Sequence, residues 1–319
     1  MTGSKRERPA AVVLAAGLAK RYGGCKPLAP VGPHGEPIID LLAGDLLAAG
    51  FGRIVVVLGP ATGAAITYHI ERCWPRDVDV AFADQPVPLG TAHALLCARH
   101  QLGNGTPFAA VNADDLYGAP ALAVAAEHLE VGGGHALVAF HLLDSVATDS
   151  PVTRGICTID AGGNLSGISE RRLVHRLPNG EFVSEDGLEP AKLDGDAPVS
   201  MNLWAFESSI WDVLEEEVLS VHPDAPIGRV PGGAAGSHTA RSQEEVLLPE
   251  VVARRINGNG ANSSGRSTDH GLQVRALRGP GRCIGVTHAD DLPSVRSLLA
   301  AMIAEGRRPP APFANGIPC

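Results

Sequence analysis

The sequence predicts an α/β fold in which a mixed, mostly parallel sheet is flanked by helices, with a smaller β-rich part beyond residue 150. Apolar runs such as Ala10–Ala16 and Arg53–Leu58 have the composition of buried strands. Segments with apolar residues at helical spacing separate these runs as far as residue 141. Because parallel neighbours in a sheet need a crossover connection, this alternation favours β-α-β units.

The predicted elements follow one another at short intervals. Strands are expected at residues 10–16, 53–58, 78–83, 107–111 and 135–141. Helices are expected between them at residues 38–49, 61–72, 91–101 and 119–129. Beyond residue 150, turn signals rich in glycine and asparagine separate short strands at residues 155–159, 165–170 and 199–206. Further helices are expected at residues 208–219, 243–256 and 290–305.

The composition suggests how the chain is organised. Residues 10–306 are expected to form one domain with two halves, residues 10–150 and 151–306. The charged residues 1–9 are expected to be disordered, and the proline-rich residues 307–319 to form a loose tail.

The overall composition excludes several classes of protein. The net charge of −9 argues against a nucleic-acid-binding surface, which needs a concentrated basic face. No apolar run is long enough to span a bilayer, and the N-terminus lacks the apolar segment of a secretory signal. The six cysteines form no C-x-x-C pair and are expected to be reduced thiols. These observations predict a cytoplasmic protein, and whether it forms a homo-oligomer is left open.

The most informative segment is a glycine-rich loop, LAAGLAKRYGGCKP, at residues 14–27. It follows a predicted buried strand and carries Arg21 and Lys26. Backbone N–H groups and two cations in one loop suit a polyphosphate, although a solvated basic turn is the simpler alternative. The P-loop pattern fails because Pro27 follows Lys26, and the G-x-G-x-x-G spacing is absent as well.

With four later segments, this loop resembles the sugar-nucleotide pyrophosphorylases, the NDP-sugar nucleotidyltransferases with a GT-A-like NTP transferase fold. Those segments are PLGTAHA at 88–94, VNADDLYG at 111–118, ISER at 168–171 and MNLWAF at 201–206. All five occur in the family's order. The R-Y-G-G-x-K loop and a G-V-T segment at 285–287 are most similar to one nucleotidyltransferase branch of that family.

The resemblance implies a Rossmann-like sheet, a nucleotide-binding first half and an acceptor-binding second half. It also implies Mg²⁺-dependent transfer of NMP from an NTP to a phosphorylated acceptor, foremost a sugar 1-phosphate. Pyrophosphate would be released and an NDP-sugar formed, with neither nucleic acid nor membrane as a partner. A cytidylyltransferase acting on an alditol phosphate or phosphonate is one alternative. A non-catalytic nucleotide or sugar-nucleotide binding protein is another.

The resemblance also implies roles for individual residues. The expected catalytic residues are Arg21, Lys26 and Asp114, of which Asp114 is also the metal ligand. The expected nucleotide-binding residues are Leu14, Ala15, Ala16, Gly17, Gln85, Gly90 and Thr91. The expected acceptor-binding residues are Glu170, Arg171 and Asn202.

Three of these assignments have structural alternatives. Asp115, which is given a supporting part beside Asp114, and Thr91 are each also suited to cap a following helix. The charged run from Glu170 to Arg172 is equally typical of an exposed turn.

The sequence departs from the family pattern at several positions. Ala19 and Lys20 replace a glycine and a hydroxyl residue in the loop. Gly285 stands where the family usually has a second metal-binding aspartate, so one carboxylate suffices or Asp290 or Asp291 contributes. The spacing of His93, Cys97 and His100 would place them on one helix face, but no fourth ligand is evident and zinc is not expected.

Overall fold

The computed structural model describes residues 8–17, 23–103, 105–146, 150–227, 244–258, 271–286 and 289–313. The strands in this part of the chain are β1 Ala10–Ala15, β2 Arg53–Leu58, β3 Val80–Asp84, β4 Phe108–Asn112, β5 Asp115–Leu116, β6 His135–His141, β7 Val152–Ile159, β8 Leu165–Arg176, β9 Phe182–Ser184, β10 Lys192–Leu193, β11 Pro198–Phe206, β12 Val274–Arg278 and β13 Ile284–Gly285. The helices are α1 Ile38–Ala48, α2 Gly63–Cys73, α3 Thr91–Cys97, α4 Ala119–Glu130, α5 Leu142–Ser145, α6 Ile210–Val221, α7 Leu248–Ile256 and α8 Leu292–Ala304. Short 3-10 helices lie at Lys26–Leu28, Arg99–Gln101 and Ala289–Asp291.

Most of these strands form a single mixed sheet in the order β10-β9-β8-β7-β11-β4-β1-β2-β3. Strands β4, β1, β2 and β3 run parallel to one another, so their carboxyl ends share one edge. Strand β6 pairs antiparallel with β11 and parallel with β12. The expected α/β architecture with a mixed sheet between helices is therefore confirmed.

The alternation of side chains along β1 places the sheet between two apolar layers. Ala11 and Val13 pack into one layer with helices α1, α2, α4 and α8. Ala10 and Val12 pack into the other layer with helices α3, α6 and α7. Both faces of this strand are buried, which explains why its sequence is a continuous apolar run.

The second half of the chain extends this sheet. Strand β7 pairs antiparallel with β11, and β8, β9 and β10 each pair antiparallel with the strand before them. Strand β8 continues to Arg176, beyond the predicted end at residue 170. The register of β8 shifts between Arg171 and Val174, where Leu173 adopts a φ of 52°. Such a bulge interrupts the alternation of side chains, and this is why the sequence pattern predicts a shorter strand.

The beginning of the expected loose tail is instead packed. Arg308 lies 2.8 Å from a carboxylate oxygen of Asp45 in α1, and both side chains are buried. The ring of Phe313 contacts that of Trp74, with the centroids 5.9 Å apart. Residues 307–313 therefore belong to the packed structure, and residues 314–319 lie outside the described part of the chain.

Two expectations from the composition concern the state of the cysteines and the presence of membrane-spanning segments. Cys25, Cys97, Cys157 and Cys283 form no disulfide, whereas Cys73 is disulfide-bonded. The expectation of six reduced thiols is therefore wrong at Cys73. No helix in the described ranges has the length and apolar character needed to cross a membrane.

Candidate active site

The candidate site lies where the parallel strands end. The chain leaves β1 through Ala16 and the exposed Gly17, and Leu14 pairs with Asn112 at the end of β4. Open parallel sheets bind ligands at this edge. Residues 18–22, which include Ala19, Lys20 and Arg21, lie outside the described residues, so the expectation for Arg21 stays a prediction.

Two expected catalytic residues meet at this edge. The Nζ of Lys26 lies 2.6 Å from Oδ2 of Asp114, although 88 positions separate them in sequence. Lys26 begins the short 3-10 helix that follows the glycine-rich loop, and Asp114 follows β4. The two side chains are 16% and 33% exposed, so both reach the surface of the site. A cation and a carboxylate are thus held together where a charged substrate could replace their mutual contact.

Asp115 lies in β5, next to Asp114, and its carboxylate faces Gly285 of β13. Its Oδ2 accepts a hydrogen bond of 2.9 Å from Nδ2 of Asn112. Gly285 pairs with Asp115, and a Cβ built at position 285 would lie 2.4 Å from Oδ1 of Asp115. The carboxylate of Asp115 therefore occupies space that a side chain at residue 285 would need. Gly118 is the N-cap of α4, so the alternative in which Asp115 caps this helix is not seen.

The carboxylate of Asp115 is buried and lies close to the carboxylate of Asp114. Burial and the neighbouring carboxylate of Asp114 raise the pKa of Asp115. Arg154, on β7, is close enough to favour the charged form of Asp115, and it donates a hydrogen bond of 3.2 Å to Oγ of Ser145. Sequence reasoning missed Arg154, because no spacing or motif links β7 to the end of β4.

A buried tyrosine connects the loop of Asp114 with that of Asn202. The hydroxyl of Tyr117 accepts from the backbone N–H of Asn112 at 3.0 Å and donates to the carbonyl of Met201 at 2.9 Å. Asn202 follows directly, with a φ of 59° at a break in the pairing of β11 with β6. Asparagine tolerates this left-handed conformation better than most residues. Tyr117 was not singled out in the sequence, although it lies within the VNADDLYG segment.

The expected base-binding residues form a second cluster beyond β3. Nε2 of Gln85 donates to the carbonyl of Gly90 at 2.9 Å. Gly90 has a φ of 99°, and a Cβ there would lie 2.4 Å from the carbonyl oxygen of Val246, so only glycine fits. The hydroxyl of Thr91 accepts from the N–H of Leu248 at 2.8 Å and so caps α7 rather than its own helix. This hydrogen bond therefore links the start of α3 to the start of α7.

The expected role of Arg171 is corrected by the structure. Its guanidinium is buried and donates to both carboxylate oxygens of Asp186, at 2.8 and 3.1 Å. It also donates to the carbonyls of Leu188 and Pro190. These contacts occupy the group in holding the loop after β9, so Arg171 is not placed to meet a phosphate.

Glu170 lies on the opposite face of β8 from Arg171. Its side chain is half-exposed and accepts from the exposed Arg172 at 2.7 Å. Gly155 of β7 pairs with Glu170 on one side and with Ser200 on the other. Residues directly opposite in a sheet share a face. A Cβ built at Gly155 would lie 3.0 Å from Cγ2 of Ile168 and 3.6 Å from Cβ of Ser200, so these two side chains fill the space beside the glycine. Asn202 lies two residues beyond Ser200, past the break in β11.

The structure also shows where the residues considered for a second metal-binding carboxylate and for a zinc site lie. Asp291 is buried and accepts from the hydroxyl of Ser150 at 3.3 Å, while Asp290 is exposed. Cys97 Sγ lies 3.6 Å from Nε2 of His93, but His100 lies beyond the end of α3 in a separate 3-10 helix. The face that the three were expected to share is therefore interrupted.

The donor set at Asp114 fits a magnesium ion that a substrate helps to hold. No cluster of three or more histidine, cysteine or acidic side chains suited to a metal occurs within the described ranges. Mg²⁺ prefers oxygen ligands and is commonly held by one or two carboxylates together with phosphates and water. Asp114, partly exposed and beside Asp115, matches that requirement.

The first part of the chain is similar to a known protein family. Residues 11–144, from β1 to the short helix α5, match the family model of the MobA-like NTP transferase domain. The resemblance drawn from the five sequence segments is thereby confirmed. Lys26, Gln85 and Asp114 all lie inside the matched residues.

Two curated relatives match part of the chain. The bifunctional protein GlmU of Hyphomonas neptunium is 36% identical over 102 residues, which is 32% of this chain and 21% of GlmU. The glucose-1-phosphate thymidylyltransferase of Mycolicibacterium smegmatis is 27% identical over 165 residues, which is 50% of this chain and 54% of the relative. The chain thus spans about a fifth and about half of these two proteins.

Solved structures share the fold over nearly the whole chain. A UDP-glucose pyrophosphorylase complexed with UDP-glucose has a TM-score of 0.57 at 14% identity, covering 92% of this chain and 99% of its own. The inositol-1-phosphate CTP transferase from T. maritima has a TM-score of 0.59 at 13% identity, covering 94% and 98%. At such identities the likeness concerns the fold alone, and it extends beyond residues 11–144.

Proposed function

We propose that the chain is a Mg²⁺-dependent nucleotidyltransferase that transfers NMP from an NTP to a phosphorylated acceptor, foremost a sugar 1-phosphate. The products are pyrophosphate and an NDP-sugar. The contact of 2.6 Å between Lys26 and Asp114 is the observation that carries this proposal. It supports the proposal because a cation suited to phosphate and a carboxylate suited to a metal lie together at the carboxyl edge of parallel strands.

The reaction requires mainly positioning and charge neutralisation. A phosphate oxygen of the acceptor attacks the α-phosphorus of the NTP, and the bond from that phosphorus to the bridging oxygen of the β-phosphate breaks. Pyrophosphate leaves with the electron pair of that bond. Since no proton must be moved in this step, the protein's task is to align the two phosphates and to stabilise their negative charge.

Lys26 and Asp114 are suited to that task. Lys26 stabilises the negative charge that grows on the α-phosphate oxygens in the transition state. Asp114 holds the metal, with Asp115 in support, and Asn112 and Tyr117 fix the position of this acidic loop. When bound, Mg²⁺ neutralises phosphate charge and favours the departure of pyrophosphate. Arg21 is proposed to hold the β- and γ-phosphates.

The acceptor is proposed to bind along the strands of the second half. Glu170 and Asn202 lie on β8 and β11, on either side of Gly155 in β7. Carboxylate and amide side chains such as these hydrogen-bond the hydroxyl groups of a sugar or polyol well. Arg171 takes no part, because its donors are engaged with Asp186 and two carbonyls.

Pyrophosphate release from each of the common NTPs with a panel of acceptors tests the proposal. The panel contains glucose 1-phosphate, inositol 1-phosphate, an alditol phosphate and a phosphonate, so that it also tests the cytidylyltransferase alternative. We expect one NTP and one acceptor class to give pyrophosphate in a Mg²⁺-dependent manner. Asp114→Asn serves as the inactive control, with a melting curve to show that it folds. NTP binding without pyrophosphate release from any pair would instead favour a binding protein.

A further inference from the structure

One atom of the Gln85 side-chain amide, Nε2, makes two contacts with neighbouring groups. Gln85 is 5% exposed, and its Nε2 lies 2.9 Å from the carbonyl oxygen of Gly90. The same nitrogen lies 3.1 Å from Nδ1 of the fully buried His93. Oxygen and nitrogen of a glutamine amide are interchangeable in shape, so the chemistry of these two partners decides which atom faces them.

The protonation state of His93 follows from its other contact. Nε2 of His93 lies 2.9 Å from the carbonyl oxygen of Pro226. A carbonyl oxygen only accepts, so Nε2 must carry the proton. Burial lowers the pKa of His93, so the ring is neutral and Nδ1 is an unprotonated acceptor. The carbonyl of Val87, which also accepts from the N–H of Leu89 at 2.9 Å, lies near this ring and raises the pKa of His93, but burial is the larger effect.

Gln85 therefore faces two acceptors, Nδ1 of His93 and the carbonyl of Gly90. Only its NH₂ group satisfies both, because turning the amide would set Oε1 against two lone pairs. Oε1 must then lie on the other side of the amide. Within the described part of the chain, no donor hydrogen-bonds to Oε1, so this oxygen is free to receive a ligand.

Resting on the proposed function, we propose that Gln85 offers the nucleotide base an acceptor oxygen only, and that His93 is the positioning residue that fixes this. The site then requires a base that donates an N–H to Gln85. A base with an acceptor at that point would face Oε1, because the two contacts of Nε2 prevent the amide from rotating to offer its NH₂ group instead. Selectivity among bases thus depends on a histidine that does not itself need to touch the nucleotide.

The protonation of His93 is tested without nucleotide. Nitrogen-15 NMR of the histidine side chains, assigned with a His93→Asn sample, is expected to show His93 protonated on Nε2 and bare on Nδ1. A proton on Nδ1 would mean that Gln85 presents its oxygen to His93, and the inference would be overturned. This measurement stands even if none of the NTPs is turned over, so its failure is distinct from failure of the proposed function.

The consequence for the base is tested with the NTP that has the highest kcat/KM and with its analogue methylated at the base N–H groups. We expect the analogue to lose about tenfold or more in kcat/KM, mostly through KM, because Oε1 is left without a donor. Equal kcat/KM for the two nucleotides overturns the inference.

Two substitutions test the role of His93. His93→Asn keeps an acceptor near the position of Nδ1, whereas His93→Leu removes it. We expect His93→Asn to retain most of the discrimination between the two nucleotides and His93→Leu to reduce it. An equal loss in both variants would make His93 a packing residue and would overturn its positioning role.

Discussion

Lys26 and Asp114 form an ion pair of 2.6 Å across the carboxyl ends of β1 and β4. These strands are direct parallel neighbours in the sheet, so the loops that follow them begin next to each other. The Lys26 side chain is the more buried of the two, at 16% exposed. In the absence of substrate each group compensates the charge of the other, and a Mg²⁺-nucleotide would supply both with new partners.

The role of Lys26 is tested by Lys26→Ala. Because its charge acts mainly on the transition state, we expect kcat and kcat/KM to fall together, by about 10²- to 10³-fold. Steady-state kinetics with varied NTP measures this. Lys192→Ala is the matched control, since Lys192 lies outside the candidate site and its side chain is 68% exposed. An unchanged kcat with a raised KM would make Lys26 a ground-state binding residue.

The metal assignment is tested by comparing Asp114→Asn with Asp115→Asn. Asparagine at position 114 preserves size but removes the charge, so turnover should be abolished while the fold is retained. Asparagine at position 115 should cost less, because Asp115 is held by Asn112 and acts in support. Turnover across a Mg²⁺ titration and a melting curve for each variant measure the difference. If Asp115→Asn is the inactive variant and Asp114→Asn is active, the assignment is wrong by one residue.

The sequence predicts some parts of this site better than others. The meeting of Lys26 and Asp114 follows from strand order, because both loops leave the carboxyl ends of neighbouring parallel strands. The engagement of Arg171 does not follow, since its partner Asp186 lies beyond the next strand in a loop whose path no local pattern encodes. Arg154 was missed for a similar reason. It approaches Asp115 only through the long-range arrangement of β7 and α5.

The relationship between Asp115 and Gly285 predicts the effect of Gly285→Ala. An added Cβ would lie 2.4 Å from Oδ1 of Asp115, so the carboxylate must move or β13 must shift. We expect a loss of about 1–3 kcal/mol in the free energy of unfolding, together with reduced turnover. Denaturant unfolding and the pyrophosphate assay measure the two effects.

A second glycine and a double variant make this prediction specific. Gly167→Ala is the matched control, since its Cβ would lie at an ordinary 3.6 Å from Oγ1 of Thr158, its nearest neighbour among the described residues. In the Asp115→Ala background the added methyl group has room, so Gly285→Ala should cost less stability there than in the parent chain. Equal costs in both backgrounds would show that the two residues do not compete for the same space.

The last prediction concerns Arg171, which is expected to act in stability and not in acceptor binding. Its hydrogen bonds with the carboxylate of Asp186 hold the pKa of Asp186 well below its usual range. The unfolded chain therefore binds a proton at Asp186 at a higher pH than the folded chain, so this contribution to stability is lost as the pH falls. Arg171→Met should lower Tm at pH 7, and the difference from the parent chain should shrink below about pH 4. Arg172→Met, which removes an exposed guanidinium, should change Tm little at either pH. A normal Tm with a raised KM for the acceptor would restore the role that the sequence predicts for Arg171.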